Sequence, residues 1–202
     1  MLDCFELLEF APSDCFRRAT LEEIFPDRPD APLELDLGSG DGRFLLAMAR
    51  QYPERNFLGV ERLLGRVRKV CRRAARLGIG NVRVLRLETS YTVDWLLPRG
   101  TFTRIHLLFP DPWPKKKHAE RRLVCPEFTR AAAELLVPGG EFLFKSDHPA
   151  YFAEASAVLR ADPGLEEIDW PREAFPYFET DFERRWKSEG KLIQATRMRR
   201  RS

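Results

Sequence analysis

Three glycines and three acids are the first residues whose types and spacing predict a binding site. Gly38, Gly40 and Gly42 alternate after a short apolar segment, where glycine lets the chain turn sharply and lets its backbone approach a ligand. Glu61 ends the next apolar segment, about twenty residues on, where an acid accepts hydrogen bonds from a ribose. This run differs from the dinucleotide fingerprint G-x-G-x-x-G, and the carboxylates of Glu34 and Asp36, in the strand before the loop, would repel a pyrophosphate. The site therefore fits the cationic S-adenosylmethionine better than NAD; a tight turn that binds no ligand is the alternative.

An acid, an aromatic ring and a basic run come together further along the chain. Asp111 and Trp113 lie in the sequence F-P-D-P-W-P, whose prolines stiffen a loop. The residues that follow include Lys115, Lys116, Lys117, His118, Arg121 and Arg122. Such a set offers an acceptor for the edge of a base, a ring for stacking and cations for phosphates. A solvated charge run would explain the lysines equally well, but it does not explain Asp-Pro-Trp at the end of a strand.

The composition favours one soluble domain, and the placement of its charges is compatible with phosphate binding, although a solvated helix face explains any single basic cluster about as well. The chain has 202 residues, of which 44% are hydrophobic and 32% are charged, enough for one domain with a sizeable core. The net charge is +3, but basic and acidic side chains are segregated along the chain. Residues 62–87 carry nine basic side chains and no acid, whereas residues 1–36 carry ten acids and three arginines. No apolar stretch approaches the roughly 18 residues of a membrane span, and the acidic first ten residues do not resemble a signal peptide. We therefore expect a cytoplasmic protein with a basic face suited to phosphates.

The spacing of cysteines and histidines predicts neither disulfides nor a metal site. The four cysteines lie far apart, so we expect free and mostly buried thiols. The three histidines show no metal-ligand spacing with cysteines or acids.

Alternating strands and helices from Leu33 onward must position the two motifs. The hydrophobic pattern predicts strands over residues 33–37, 56–61, 82–87, 104–109 and 141–145, helices over residues 43–52, 62–77, 126–136 and 151–159, and late strands over residues 165–168 and 192–198. This order predicts an α/β, Rossmann-like, doubly wound sheet of seven mostly parallel strands with an antiparallel C-terminal edge. Ligands bind such sheets beyond the carboxyl ends of the strands. Residues 1–32 are acidic and rich in proline, and we expect them to be an N-terminal extension of a domain that spans residues 33–202.

The motifs occur in the order found in the bacterial tRNA (guanine-N7-)-methyltransferases, which the chain resembles from about Leu33 to Met198. The most specific run is Asp111-Pro112-Trp113-Pro114-Lys115, followed by His118 and Arg121-Arg122. Other segments similar to that family are the glycine run, Gly59-Val60-Glu61, Lys145-Ser146-Asp147 and Thr180-Asp181-Phe182-Glu183. The resemblance implies a class I S-adenosylmethionine-dependent methyltransferase that modifies N7 of guanine 46 in the variable loop of tRNA, as a monomer or a homodimer.

The resemblance also implies a role for each matching residue. The methyl donor would be bound by Glu34, Gly38, Gly40, Gly42, Glu61 and Glu88. Asp111 would be the catalytic residue. The substrate would be contacted by Lys115, Asp147, Thr180, Asp181, Phe182 and Glu183, and the RNA more widely by Lys116, Lys117, His118, Arg121 and Arg122. The chain departs from the family's pattern where Glu88 replaces an aspartate, Ser146 a threonine and Glu120 a lysine.

Without the family, several alternatives stay open. Thr180 would cap a helix and Glu183 would close a capping box, a structural role that is compatible with substrate contact. A methyltransferase for another RNA base or a small molecule, a nicotinamide oxidoreductase and a non-catalytic RNA-binding protein are the rival functions.

Overall fold

The computed structural model describes residues 8–170 and 177–202, without the side chains of Lys116, Ala119 and Asp181. The first seven residues of the predicted extension and two predicted site side chains, those of Lys116 and Asp181, therefore lie outside the described part of the chain.

In the part of the chain that the structure describes, a mostly parallel sheet of eight strands forms the centre of the fold. The strands are β1 (Glu9–Phe10), β2 (Leu33–Leu37), β3 (Asn56–Val60), β4 (Val82–Leu85), β5 (Phe102–Leu108), β6 (Leu136–Ser146), β7 (Leu165–Ile168) and β8 (Gln194–Arg200). Their order in the sheet is β1-β4-β3-β2-β5-β6-β8-β7, and β8 is antiparallel to both of its neighbours. The parallel sheet and its antiparallel C-terminal edge confirm the predicted fold class. The strand order reverses between β2 and β5, so a ligand crevice is expected at the carboxyl ends of these two strands.

Helices cover the two faces of the sheet. In the described residues they are α1 (Leu21–Ile24), α2 (Arg43–Gln51), α3 (Leu64–Arg76), α4 (Thr89–Tyr91) with a π-helical turn (Thr92–Leu96), a 3-10 helix (Lys116–Arg121), α5 (Pro126–Leu135), α6 (Pro149–Ala161) and α7 (Asp181–Ser188). The periodicity of α3 shows why they form, because Val67, Val70, Cys71 and Ala74 are buried on one face while most of the basic side chains are exposed.

Two apolar layers pack on opposite faces of the sheet. One layer joins Leu35, Ile105 and Phe144 to α5 and α6. The other joins Phe57 and Val84 to α2 and α3. Because side chains alternate along a strand, β2, β5 and β6 turn a second set of residues toward the α2 side. That second set is polar and leads to the site.

The prediction of seven strands is wrong by one. The additional strand, β1, pairs in parallel with β4, and its two residues are too few to give a periodic pattern. The segment that follows it also packs on the domain, because Ile24 and Phe25 are buried in the core and Ala19 N–H donates to Leu96 O at 2.8 Å. Strand β6 begins at Leu136 rather than at residue 141, since an irregular register lets its first residue pair with β5.

Candidate active site

The glycine loop between β2 and α2 is shaped by its backbone. The N–H groups of Gly38 and of the next residue both donate to Val60 O at 2.9 Å, which ties the loop to the end of β3. Gly38, Gly40 and Gly42 have φ values of 77°, 58° and 75°, a region in which other residues are strained. A Cβ on Gly42 would lie 2.5 Å from Val70 Cγ2, whereas nothing outside its chain neighbours lies within 4 Å of a Cβ on Gly38. The loop is therefore packed against α3 on one side and open on the other.

Two buried carboxylates stand beside this loop. Glu61 Oε2 accepts from Gly40 N–H at 3.1 Å, and its Oε1 accepts from Leu63 N–H at 2.8 Å. Asp36, on β2, is also buried; burial first, and the negative charge of Glu61 second, raise its pKa to about 7. A cation bound at this loop would stabilise the ionised form of Asp36.

Glu34 lies on the same face of β2 but belongs to a charged network within the sheet. Its carboxylate contacts Arg55 Nη1 at 2.8 Å, Arg104 Nη1 at 3.1 Å and His106 Nε2 at 2.8 Å. Burial would raise the pKa of Glu34, but the hydrogen bond from His106 and the surrounding cations lower it. The predicted donor residue Glu34 thus has its carboxylate engaged by neighbouring side chains. The sequence marks Glu34 and Asp36 together as acids beside the loop, but the resemblance assigns the donor contact to Glu34 and not to Asp36, although Asp36 lies two residues nearer to the glycines.

Glu88 completes a row of acids along the edge of the sheet. It follows β4, is exposed, and accepts from Tyr91 N–H at 2.8 Å as the N-cap of α4. Because β2, β3 and β4 are neighbouring parallel strands, Asp36, Glu61 and Glu88 follow one another across the carboxyl edge.

Asp111 lies in a loop whose backbone conformation is unusual. Phe109 and Trp113 have φ values of 54° and 41°, a region that costs free energy for residues other than glycine and that occurs often at functional sites. Phe109 N–H donates to Lys145 O at 2.9 Å, which fixes the start of the loop to the end of β6. Asp111 itself is exposed. Since β2 and β5 are neighbours, the glycine loop and the Asp111 loop meet at one edge of the sheet.

Arg122 holds the Asp111 loop in place. Its guanidinium donates to Pro112 O at 3.0 Å and to Trp113 O at 3.4 Å, and it pairs with Glu154. It also lies 5.5 Å from the ring centre of Tyr151. The side chain predicted as an RNA contact is therefore engaged with the protein.

The other described side chains of the basic run face outward. Lys115, Lys117 and Arg121 are exposed. The Arg121 guanidinium lies 5.1 Å from the ring centre of Trp113, and the His118 ring packs edge-on against the same indole at 5.9 Å. This surface combines cations with an aromatic ring beside the site.

A buried ion pair connects β6 with α7. Lys145 Nζ donates to Glu183 Oε1 at 3.1 Å and to Oε2 at 2.9 Å, and the two residues are 8% and 5% exposed. The rings of Tyr177 and Trp170 lie 4.5 Å and 5.3 Å from the same nitrogen. Burial lowers the pKa of Lys145, and the negative charge of Glu183 opposes that shift. The sequence showed Lys145 only as part of a motif, because nothing local marks a residue 38 positions away as its partner.

Three other predicted substrate residues, Thr180, Phe182 and Asp147, lie within three residues of this ion pair along the chain. Thr180 caps α7 as expected, since Glu183 N–H donates to its Oγ1 at 3.0 Å. The Glu183 carboxylate binds Lys145 instead of closing a capping box. Phe182 is 56% exposed, and Asp147 follows β6 directly and is half-buried.

The described residues contain neither a candidate metal cluster nor a membrane-spanning helix. Within residues 8–170 and 177–202, no group of three His, Cys, Asp or Glu side chains could hold a metal ion. No helix in these same ranges is both long enough and apolar enough to cross a membrane.

The strand order and the glycine loop at the reversal point define the class of fold, that of class I S-adenosylmethionine-dependent methyltransferases. A 16S rRNA adenine methyltransferase from Catenulisporales acidiphilia, solved with its cosubstrate SAM, has the same fold, with a TM-score of 0.61 and 16% identity over 91% of this chain and 92% of that chain. The family described as "Putative methyltransferase" matches residues 30–196.

Two curated relatives identify the family more closely. The tRNA (guanine-N(7)-)-methyltransferase of Alkalilimnicola ehrlichii is 37% identical over 166 residues, which cover 81% of this chain and 70% of that protein. The protein of the same name from Deinococcus radiodurans is 38% identical over 174 residues, which cover 83% of this chain and 52% of that protein. The chain belongs to the tRNA (guanine-N7-)-methyltransferase family, which confirms the resemblance found in the sequence. It spans about half the length of the Deinococcus relative.

Proposed function

We propose that this protein transfers a methyl group from S-adenosylmethionine to N7 of guanine in the variable loop of tRNA. The observation that carries the proposal is the meeting of two different loops at the reversal of strand order. The glycine loop follows β2 and the Asp111 loop follows β5, and these strands pair directly. One loop would hold the donor and the other would hold the base.

The residues of the glycine loop suit S-adenosylmethionine. Its sulfonium and ammonium groups are cationic, and Asp36 and Glu61 are buried carboxylates beside the loop. We assign the donor contact on β2 to Asp36 rather than Glu34, because Glu34 is surrounded by Arg55, Arg104 and His106. Glu61 would accept from the ribose hydroxyls, and Glu88 would lie further along the same edge. When bound, S-adenosylmethionine supplies the methyl group.

The acceptor residues would orient guanine rather than deprotonate it. Guanine N7 has a free lone pair and carries no proton, so the rate depends chiefly on holding N7 in line with the methyl group. Asp111, Asp147 and Glu183 can accept from guanine N1–H and the 2-amino group, which adenine does not offer in that pattern. Asp111 would also stabilise the positive charge that develops on the purine.

The exposed cations beside the site would bind the rest of the tRNA. Lys115, Lys117 and Arg121 are exposed and would meet phosphates, and the half-buried His118 and Trp113 beside them would add hydrogen bonding and stacking. A tRNA substrate would place the protein in the cytoplasm.

The direct test is transfer of labelled methyl groups from S-adenosylmethionine to bulk tRNA, followed by nucleoside analysis. We expect 7-methylguanosine as the labelled product. Label in another nucleoside would contradict the choice of base, and no transfer despite donor binding would contradict the choice of tRNA. Stabilisation by NAD and not by S-adenosylmethionine in a thermal shift would contradict the donor itself.

A further inference from the structure

We propose that Lys145 is a positioning residue for the methyl transfer, which keeps Glu183 ionised and fixed. Glu183 belongs with Asp111 and Asp147 to the acceptor half of the site, the residues that we assign to guanine. This inference rests on the proposed function, because it assigns Glu183 a task with the substrate base. It adds a residue to which neither the motif reading nor the relatives' names give a role.

The contacts of Lys145 are unusually complete for a lysine. Its ammonium group donates to both carboxylate oxygens of Glu183, at 3.1 Å and 2.9 Å. The rings of Tyr177 and Trp170 lie over the same ammonium and supply further attraction through their π faces. Since its side chain is only 10% exposed, water can do little to replace these partners.

Stability alone is a weak explanation for this ion pair. Removing two charges from water costs free energy, and apolar side chains of similar volume are often as stabilising as a buried ion pair. Burial lowers the pKa of Lys145, because removing the charged ammonium group from water costs free energy. A functional requirement for an ionised Glu183 accounts for the pair better.

The backbone of Lys145 joins the acceptor residues to one another. Its carbonyl oxygen accepts from Phe109 N–H at 2.9 Å, and Asp111 follows two residues after Phe109. Asp147 lies two residues after Lys145 itself. One residue therefore fixes the start of the Asp111 loop through its carbonyl oxygen and the carboxylate of Glu183 through its ammonium group.

The groups that face Glu183 decide what its carboxylate does when Lys145 is removed. From β6 comes Lys145, and from α7 itself comes Lys187, whose Nζ lies 3.3 Å from Glu183 Oε1 but whose side chain is 49% exposed. Lys187 also pairs with Glu179. Tyr177 packs on Lys145, and burial raises its pKa well above the usual range, so it brings no charge. Without Lys145, the cation that remains beside the buried Glu183 among the described side chains is Lys187, a solvated lysine that Glu183 shares with Glu179.

This arrangement predicts a change in pH dependence, not only a loss of rate. Buried glutamates that lack a counter-charge titrate as high as about pH 8 to 9. In Lys145→Met, Glu183 would then be protonated at pH 6 and would lose its ability to accept two hydrogen bonds. Two control variants leave Glu183 with a buried counter-charge. Lys145→Arg keeps a positive charge at position 145, and Lys187→Met keeps Lys145 itself.

The experiment is single-turnover methyl transfer to tRNA at saturating donor and tRNA, from pH 6 to pH 9. The wild-type protein and Lys187→Met should give nearly level profiles. Lys145→Met should be slower by about tenfold or more at pH 6 than at pH 8, with donor affinity unchanged by calorimetry. Lys145→Arg should restore the level profile. A uniform loss of rate at every pH in Lys145→Met would overturn the proposal and leave Lys145 a purely structural residue.

Thermal unfolding against pH tests the same inference without any activity. A carboxyl group that holds its proton more tightly in the folded state contributes stability at low pH, and that contribution is lost as pH rises. Lys145→Met should therefore lose stability between pH 5 and pH 8 relative to the double variant Lys145→Met/Glu183→Gln. Equal pH dependence of the two variants would overturn the proposal even if the wild-type protein proved inactive on tRNA. If Lys145→Met does not fold, Lys145→Gln takes its place in both measurements.

Discussion

The donor half of the site, which comprises the glycine loop with Asp36 and Glu61, and the acceptor half are both acidic. The groups that surround their carboxylates differ. In the donor half, Glu61 accepts from backbone N–H groups, and Asp36 has a pKa raised to about 7 by burial and by Glu61. In the acceptor half, Glu183 already holds the ammonium group of Lys145. The described cation that pairs with Glu61 is Arg66, at 3.5 Å, and its side chain is 53% exposed, whereas Lys145, which pairs with Glu183, is buried.

This difference matches the charges of the two proposed substrates. S-adenosylmethionine is positively charged and would stabilise the donor half, because its charge would offset the repulsion between the carboxylates there. Guanine is neutral and brings N–H donors, which suit a carboxylate such as that of Glu183, whose charge Lys145 already balances. Ionic complementarity would therefore select the donor, and hydrogen-bond geometry would select the base.

The largest expected effect comes from the acceptor half. Asp111→Asn keeps the shape of the side chain but removes its charge, so the single-turnover rate should fall by about 10²-fold. Because guanine N7 carries no proton, the variant should keep the level pH profile of the wild-type protein from pH 6 to pH 9. The check is the rate at several pH values with both substrates saturating.

The opposite outcome would show that the acceptor half acts as a base. A wild-type rate that rises tenfold per pH unit, with that slope lost in Asp111→Asn, would identify Asp111 as a proton acceptor. The substrate atom would then carry a proton, as an exocyclic amine does.

The next prediction compares how variants in the two halves change the affinity for S-adenosylmethionine. Glu61→Ala removes a carboxylate that we assign to the ribose, and a lost hydrogen bond of about 1.5 kcal/mol raises the dissociation constant of S-adenosylmethionine roughly tenfold. Glu183→Gln, in the acceptor half, should leave the same constant unchanged. Calorimetry on both variants is decisive, because equal effects would mean that the two halves are not separate sites.

The sequence predicted the strands, helices and loops that carry this site better than the ion pairs of its charged side chains. Strands and helices followed from local periodicity, and the glycine loop followed from a run of five residues. Glu34 and Asp36, however, share one face of one strand, so local pattern could not tell them apart. The choice depends on Arg55, Arg104 and His106, which the fold brings in from two other segments.

Two further features escaped the sequence for the same physical reason. The pairing of Lys145 with Glu183 joins residues 38 positions apart, and no local pattern encodes such a contact. Strand β1 is held by its partner β4 rather than by its own two residues. Tertiary contacts decide both features, whereas the capping of α7 by Thr180 is local and was predicted.

A smaller effect concerns the pH dependence of donor binding. With a pKa raised to about 7, Asp36 is mostly protonated at pH 5.5 and mostly ionised at pH 7.5. A cationic donor should therefore bind up to about tenfold more tightly at the higher pH. Asp36→Asn should bind more weakly and without this trend, and calorimetry at the two pH values checks both. A pH trend that survives in Asp36→Asn would belong to another group.

The smallest effect concerns the salt dependence of tRNA binding. Lys115 and Lys117 are exposed, so each should contact about one phosphate, and the double alanine variant should lower the slope of log affinity against log salt by about one unit per lysine. Arg122→Ala is the matched control, because Arg122 is bound to the carbonyl groups of Pro112 and Trp113 and to Glu154. It should slow methyl transfer by loosening the Asp111 loop while the salt slope stays at the wild-type value. A loss of slope in Arg122→Ala equal to that of a single lysine variant would instead place its guanidinium on the RNA.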